Sequence, residues 1–436
     1  MAANFNVPQW AASDNVIVTR LSCTVEVNIV TASITADCCI AGGGPAGMML
    51  GYLLARGGVR TVVIEKHEDF LRDFRGDTVH PSTLEVMHEL GILDGLLKVP
   101  HQKLERISGW FGSHKIDIAD FTGLKVSCPY IAFMPQWDFL NFLAAEGKRF
   151  PQLNVLMKTE ATELIHEQGR VAGVRARAEQ GVTEIRANLT VAADGRHSRL
   201  RELAGLELRD LGTPIDVLWF RVKRDSSRFD QTFTHVGEGK IMITLDRGDY
   251  WQCAYVIPKG GAEQTMQRGL EAFRADVGSI AEELAPHMHE ITSWDDVKLL
   301  EVKVNRLEQW SMPGFLCIGD AAHAMSPVGG VGVNLAVQDA VATANLLGEA
   351  LLQGRLTDDD LLKVQHRRLF PTRTTQAFQV VVQNRILNPV LSGSNAELEP
   401  PLPLRLLSRH RWLRGMAARG VGLGIRPEHV TWPAVQ

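Results

Sequence analysis

Residues 36–66 read ADCCIAGGGPAGMMLGYLLARGGVRTVVIEK, and this stretch decides the fold. A short apolar run with β-tolerant residues (Cys38, Cys39, Ile40) leads into Gly42, Gly44 and Gly47, which complete G-x-G-x-x-G. Residues 45–57 have helical composition, residues 60–64 form a second apolar strand, and Glu65 closes it eighteen residues after Gly47. Strand, glycine turn, helix, strand and acid in this order describe a dinucleotide-binding unit. Gly42 permits the tight turn, Gly44 lets backbone approach a pyrophosphate, and Gly47 lets the helix lie close on the sheet. Pro45 has no amide hydrogen to lose in a first helical turn. The remaining free amides and the positive end of the helix face the phosphates. Glu65 suits the two hydroxyls of an adenosine ribose and argues against a 2′-phosphate, because two negative charges would meet. The candidate residues of this unit are Gly42, Gly44, Pro45, Ala46, Gly47, Glu65 and Lys66.

Working outward, 436 residues are enough for large cores and two intimately joined domains. The formal charge of −4 and the lack of a strongly basic block make nucleic acid an unexpected partner. None of the six cysteines forms a C-x-x-C pair, so buried thiols in a reducing cytoplasm are expected, with no metal site. Residues 1–20 lack the basic start and apolar core of a signal peptide. Cys38 to Ala55 is uncharged, but its glycine-proline run argues against a transmembrane helix. Residues 1–35 read as an extension, with a small strand at Val25–Val30 as its one regular feature.

Downstream, Arg75 sits in a polar loop directly after the acid strand, a position that favours function over packing. Pro81–Leu90 and 133–150 read as helices, with Gln136 at the mouth of the second. Residues 153–195 return to β structure as a three-stranded meander whose last strand, Leu189–Ala193, is buried and parallel. Asp194-Gly195-Arg196 follows it, placing an acid at a strand's carboxyl end, where ligands bind in such sheets. The alternative reading of Asp194 is a helix cap. From 206 to about 300 the pattern alternates at period two, and an aromatic-bearing face makes Trp219, Arg221 and Tyr255 candidate substrate contacts.

Residues 314–347, GFLCIGDAAHAMSPVGGVGVNLAVQDAVATANLL, form the second diagnostic stretch. A strand ends at Gly319-Asp320, a glycine loop runs from Pro327 to Asn334, and an apolar helix follows. Loop amides backed by a helix N-terminus suit partial negative charge on a flat ring carbonyl, and Asp320 suits a polyhydroxyl chain. His323 reads as a structural histidine beside the loop. The tail from Leu404 carries six arginines, at 405, 409, 411, 414, 419 and 426. The expected outcome is a terminal helix docked on the body, with arginines solvated or pairing across a dimer, rather than membrane contact.

Three motifs now stand in order: GGGPAG with Glu65, AADGRHSR at 192–199 and GDAAHAMSPVGGVGVN at 319–334. In these the chain resembles the single-component FAD-dependent aromatic hydroxylases, the group A flavoprotein monooxygenases of the p-hydroxybenzoate hydroxylase fold. The resemblance implies an α/β protein in which a Rossmann-like FAD-binding domain (36–105, 131–205 and 297–345) is interleaved with a β-sheet substrate domain (106–130 and 206–296). C-terminal helices follow at 346–436. It implies FAD, reduction by NAD(P)H, and a flavin C4a-hydroperoxide formed from O2 that hydroxylates an aromatic or heteroaromatic small molecule. Arg75 and Gln136 match flavin-side positions, Asp194 the family's Asp-Gly motif, and Gly319 and Asp320 the ribityl site. Pro327, Gly330, Val331, Gly332, Val333 and Asn334 match the segment bordering the isoalloxazine ring. A monomer or homodimer is expected, with no catalytic acid or base readable. One departure is GGVGVN, where a glutamine often follows the glycine pair. Two rivals share the fold. A halogenase would carry W-x-W-x-I-P, but residues 253–258 read CAYVIP. A reductase or dehydrogenase would use FAD without inserting oxygen.

Overall fold

The structure is a computed structural model that describes residues 30–71, 78–224, 233–393 and 399–433. The chain opens with β1 (Val30–Ala41), α1 (Pro45–Arg56) and β2 (Thr61–Ile64), as the glycine motif demands. Next come α2 (Pro81–Glu89), the hairpin β3 (Arg106–Phe111) and β4 (His114–Asp120), α3 (Gln136–Gly147) and β5 (Leu153–Leu156). The meander is β6 (Glu160–Glu167), β7 (Arg170–Ala178) and β8 (Gly181–Ala192). A second β region holds β9 (Ile215–Lys223), β10 (Phe233–Gly237), β11 (Lys240–Asp246) and β12 (Tyr250–Pro258). After it come α4 (Leu270–Ile280), β13 (Lys298–Leu300) and β14 (Phe315–Cys317). The long helices α5 (Gly332–Leu352) and α6 (Asp358–Val382) precede α7 (Leu402–Arg409) and α8 (Arg411–Gly422).

The first sheet runs β14-β8-β1-β2-β5, all parallel, with β7 added antiparallel to β8 and β6 antiparallel to β7. Parallel strands covered on both faces read as continuous apolar runs, and β1 from Cys38, β2 and β14 are fully buried. α1 and α5 pack on this sheet, and small residues let them approach. A Cβ on Gly51 would stand 2.6 Å from the Val63 side chain.

β1 begins at Val30, six residues before the expected start at Ala36, and pairs with β8 from Val182 onward. Of residues 32 to 35 only Ile34 packs against the core, partly buried, while Ala32, Ser33 and Thr35 are exposed, so a single apolar contact is all that marks the segment as a strand. Residues 1–29, with most of the proposed Val25–Val30 strand, lie outside the described residues.

The second sheet runs β13-β9-β12-β11-β10-β3-β4. Lys298–Leu300 pairs with β9, so this sheet reaches past the boundary drawn at residue 297. Both of its faces are apolar. Leu218, Phe220, Trp251, Cys253, Tyr255 and Ile257 pack outward against Phe273 and Val277 of α4. Val217, Trp219, Ala254 and Val256 pack on the other face with Val302, Ile386, Leu387 and Val390. The aromatic face read as a ligand cover in β12 is therefore outer core. The Tyr255 and Phe273 rings meet edge-on at 5.6 Å, and the reading of Tyr255 as a substrate contact is withdrawn. Arg221 is exposed. Tyr255→Phe is expected to change stability by about 1 kcal/mol or less and to leave KM for substrate unchanged, as measured by thermal unfolding and steady-state turnover.

Candidate cofactor site

The carboxyl ends of four parallel strands, β1, β2, β8 and β14, meet at one edge. Backbone hydrogen bonds join them: Gly42 N–H to the Ile64 carbonyl (2.8 Å), Ala193 N–H to Ala41 (2.8 Å) and Ile318 N–H to Ala192 (3.0 Å). Gly42, Glu65, Asp194 and Gly319 each continue one of these strands, so the three sequence motifs converge there although they lie far apart in the chain.

Two glycines are required by approach. Gly42 has φ +109°, and a Cβ there would sit 2.3 Å from the Ala193 carbonyl oxygen. A Cβ on Gly47 would sit 1.9 Å from the Gly42 carbonyl oxygen. Gly44 is different. It caps α1, and the space its Cβ would enter is open to at least 4 Å. Pro45 is the first helical residue, and the first turn holds no acid. Among the described residues the positive end of α1 therefore opens on free space at Gly44, as an anionic ligand needs.

Glu65, buried, is fixed across this cradle by two backbone donors: Gly43 N–H to Oε2 (2.9 Å) and His67 N–H to Oε1 (3.0 Å). Lys66 is exposed beside it, and Gln136 is half-buried as the first residue of α3. Arg75 lies outside the described residues.

Asp194 accepts the Leu200 N–H at Oδ2 (3.2 Å), so it does act on the following helix, while its Oδ1 is shut from solvent with no hydrogen-bond partner among the described residues. Burial raises its pKa, against the pull of the Ser198 hydroxyl and the Leu200 amide. An orphaned acceptor of this kind fits a ligand hydroxyl. Asp320 is partly exposed and lies 3.6 Å from the Arg196 guanidinium, an ion pair linking the second and third motifs. Arg201, buried, donates to the carbonyls of Ala321 (3.0 Å) and Arg196 (3.1 Å) and so draws the same motifs together.

The glycine loop after Pro327 is held from the side of α2. The Thr78 hydroxyl donates to the Gly330 carbonyl (2.8 Å), and the Thr83 hydroxyl donates to Asn334 Oδ1 (2.6 Å). His80 N–H also donates to Asn334 Oδ1 (3.3 Å), and His80 Nδ1–H donates to the Val421 carbonyl in α8 (3.0 Å). Val331 packs with Met325, Leu335 and Val421, and Val333 is buried in the main core. Gly332 opens α5, where a Cβ would meet nothing within 4 Å and no acid occupies the first turn. A second positive helix end thus faces open space.

Beneath this loop lies a network that the motifs do not announce. Asp339, fully buried, accepts Gly319 N–H (3.0 Å) and His323 Nε2–H (2.6 Å) at Oδ2, and Arg368 Nε–H (2.9 Å) at Oδ1. Arg368 also donates to Glu428 (3.3 Å), which Arg367 grips with two bonds. His323 is thereby structural. Burial works to raise the Asp339 pKa, but His323 and Arg368 outweigh it and hold the carboxyl below its ordinary range. Thr78, His80, Thr83, Arg201, Asp339 and Arg368 were all missed in the sequence, because each acts through a contact distant in the chain.

Against known proteins, the chain belongs to the FAD binding domain family, whose model matches residues 35–377. It is 29% identical over 389 residues to 6-methylpretetramide 4-monooxygenase of Streptomyces rimosus, spanning 88% of this chain and 91% of that one. Among solved structures it is similar to PqsL, described as a probable FAD-dependent monooxygenase from Pseudomonas aeruginosa. That match has a TM-score of 0.70 at 21% identity, over 82% of this chain and 98% of the other. It is also similar to the myxobacterial chondrochloren halogenase CndH, with a TM-score of 0.72 at 16% identity, over 92% of this chain and all of the other. The fold is thus common to hydroxylases and halogenases, and the site must separate them.

Two outcomes are expected. Asp339→Ala leaves the Gly319 amide, the His323 ring N–H and the Arg368 Nε–H buried without their shared acceptor, so unfolding in denaturant should show a loss of about 3–5 kcal/mol. His80 is fully buried, and burial lowers its pKa from 6.5 to about 4 even against the carbonyls of Val421 and Gly330. Its folded pKa lies below the unfolded one, so stability is intact above pH 6.5 and falls as pH drops towards 4. The accumulated loss is about 3 kcal/mol, and His80→Gln should flatten that part of a stability–pH profile.

Proposed function

We propose that this chain is an FAD-dependent monooxygenase that uses NAD(P)H and O2 to hydroxylate an aromatic or heteroaromatic small molecule. One observation carries the reading: two uncapped, acid-free helix ends, α1 at Gly44 and α5 at Gly332, open beside the carboxylates at one strand edge. That is a site for a ligand with a pyrophosphate at one end and an electron-accepting ring at the other. The family match supports FAD as that ligand, and the name of the Streptomyces rimosus relative supports aromatic hydroxylation.

When bound, FAD supplies the electron transfer and oxygen chemistry. The chain binds and orients it. Gly42, Gly44, Pro45, Ala46 and Gly47 would cradle the pyrophosphate with backbone amides, and Glu65 would accept ribose hydroxyls, with Lys66 at the rim. Asp194, through its unpaired Oδ1, and Asp320, beside Gly319, would accept hydroxyls of the ribityl chain. Gln136 would stand on the flavin side. Pro327 and Gly330 to Asn334 would border the ring, where the positive end of α5 favours negative charge. On the substrate side, Trp219 is the strongest of the three residues first considered. It faces the inner apolar layer, and its indole N–H is buried without a partner among the described residues, a donor suited to a ring substituent.

The purified protein should be yellow, and NADH or NADPH oxidation should be stimulated by its aromatic substrate, with O2 uptake matching hydroxylated product. Stimulated oxidation without product oxygen would indicate the reductase reading, and halide-dependent chlorination would indicate a halogenase. Gly44→Val should fold yet be purified with FAD occupancy lowered at least about tenfold, since its side chain fills the phosphate cradle.

A further inference from the structure

The C-terminal pair α7 and α8 docks on β4, as a terminal helix was expected to do, but only by one side. Leu404 joins the inner apolar layer of the second sheet, and Ala418 is buried against Phe121 and Ile131. The Ser408 hydroxyl accepts the Asp117 amide of β4 (3.0 Å). The side turned away from β4 is apolar. Leu402 and Leu406, four residues apart on α7, are 61% and 43% exposed, and Trp412 and Met416, four apart on α8, are 65% and 61% exposed. Spacing of four keeps each pair on one face.

The helix pair itself carries charge of one sign, and the acids it meets belong to neighbouring segments: Glu399 pairs with Arg405 at 3.1 Å, and Asp117 and Asp120 of β4 line one hollow with Arg411 and Arg414. Residues 400–427 contain six arginines and no aspartate or glutamate, although the whole chain has a net charge of −4. Arg405, Arg409, Arg411 and Arg419 are exposed. The surface continues onto α6, where Arg426 lies 4.7 Å from the centre of the half-exposed Phe370 ring. Among the described residues no helix is long and apolar enough to cross a membrane. Short helices with exposed Leu, Trp and Met beside arginines instead suit the plane of an anionic bilayer surface, with apolar tips in the acyl boundary and guanidinium groups at the headgroups. A two-fold contact with a second copy fits poorly, since it would set this arginine field against itself.

We infer that α7 and α8 form a peripheral docking surface for anionic lipid membranes, engaged through Leu402, Leu406, Trp412 and Met416 with the flanking arginines. The test uses the full FAD-loaded chain, sedimented with vesicles of neutral phosphatidylcholine or of phosphatidylcholine with about 30% phosphatidylglycerol. Expected are binding at least about tenfold tighter to the anionic vesicles and its loss in about 0.5 M salt. Trp412→Glu with Met416→Glu should abolish binding while flavin absorbance and thermal unfolding stay as in the parent, because both side chains are exposed. Arg409→Glu with Arg419→Glu should remove the preference for anionic lipid. No sedimentation with either vesicle would overturn the inference, as would binding unchanged in both double variants. It would also be overturned by a homodimer, seen in sedimentation velocity without lipid, that the Trp412/Met416 variant dissolves.

Discussion

The site depends on one buried carboxylate. Asp339 has no access to water, and a charge in that position is tolerable only when its partners surround it. Its partners are the Gly319 amide, which begins the turn carrying Asp320, the His323 ring from the same motif, and Arg368 from α6. One side chain thereby sets the turn, the helix behind the glycine loop and the helix packed behind that. Glu428 extends the arrangement to the C-terminal tail through Arg368 and Arg367. The crevice at the strand ends thus has a rigid floor made of charges that satisfy one another.

The glycine loop above that floor is clamped from the opposite side by neutral groups. Thr78 holds the Gly330 carbonyl, while Thr83 and the His80 amide share Asn334 Oδ1. Donors directed at that oxygen leave the Asn334 amino group turned elsewhere, buried and without a partner among the described residues. His80 spends its own ring proton on Val421, so the loop is braced against α8 through a single imidazole. The same helix offers its other side to solvent, and this places an external surface two contacts away from the proposed ring-binding loop.

What could be read in advance follows from the range of the interactions. The glycine fingerprint was legible because Gly42 answers to a fixed strand neighbour and Gly47 to backbone a few residues away, and the spacing is rigid. The strands and hairpins of the meander were legible from alternation, with the turn at Gln168 and Gly169 taking positive φ as a tight connection requires. The facing of Tyr255 was not, because the second sheet buries both faces and period two separates the faces without saying which one meets a ligand. The early start of β1 was hidden because, of residues 32 to 35, only Ile34 reaches the core and the rest pair through backbone. Asp339, Arg368 and Glu428 looked like ordinary helix and tail charges, since nothing local distinguishes an acid that will be enclosed by partners from elsewhere in the chain.

The strand order bears on how the chain acquires its structure. β8 pairs with β1 on one side, and on its other side Thr190 to Ala192 pair with Phe315 to Cys317. During synthesis six strands of this sheet, β1, β2, β5, β6, β7 and β8, are complete long before residue 315 leaves the ribosome. Until then the stretch Thr190 to Ala192 of β8, beyond the part of the edge that β7 covers, presents unpaired amides and carbonyls next to buried side chains. Sheets closed by such distant segments fold slowly, and their open edges invite pairing with other chains. The nascent protein is therefore most prone to aggregation after β8 and before β14, and a chaperone that shields that edge would raise its yield.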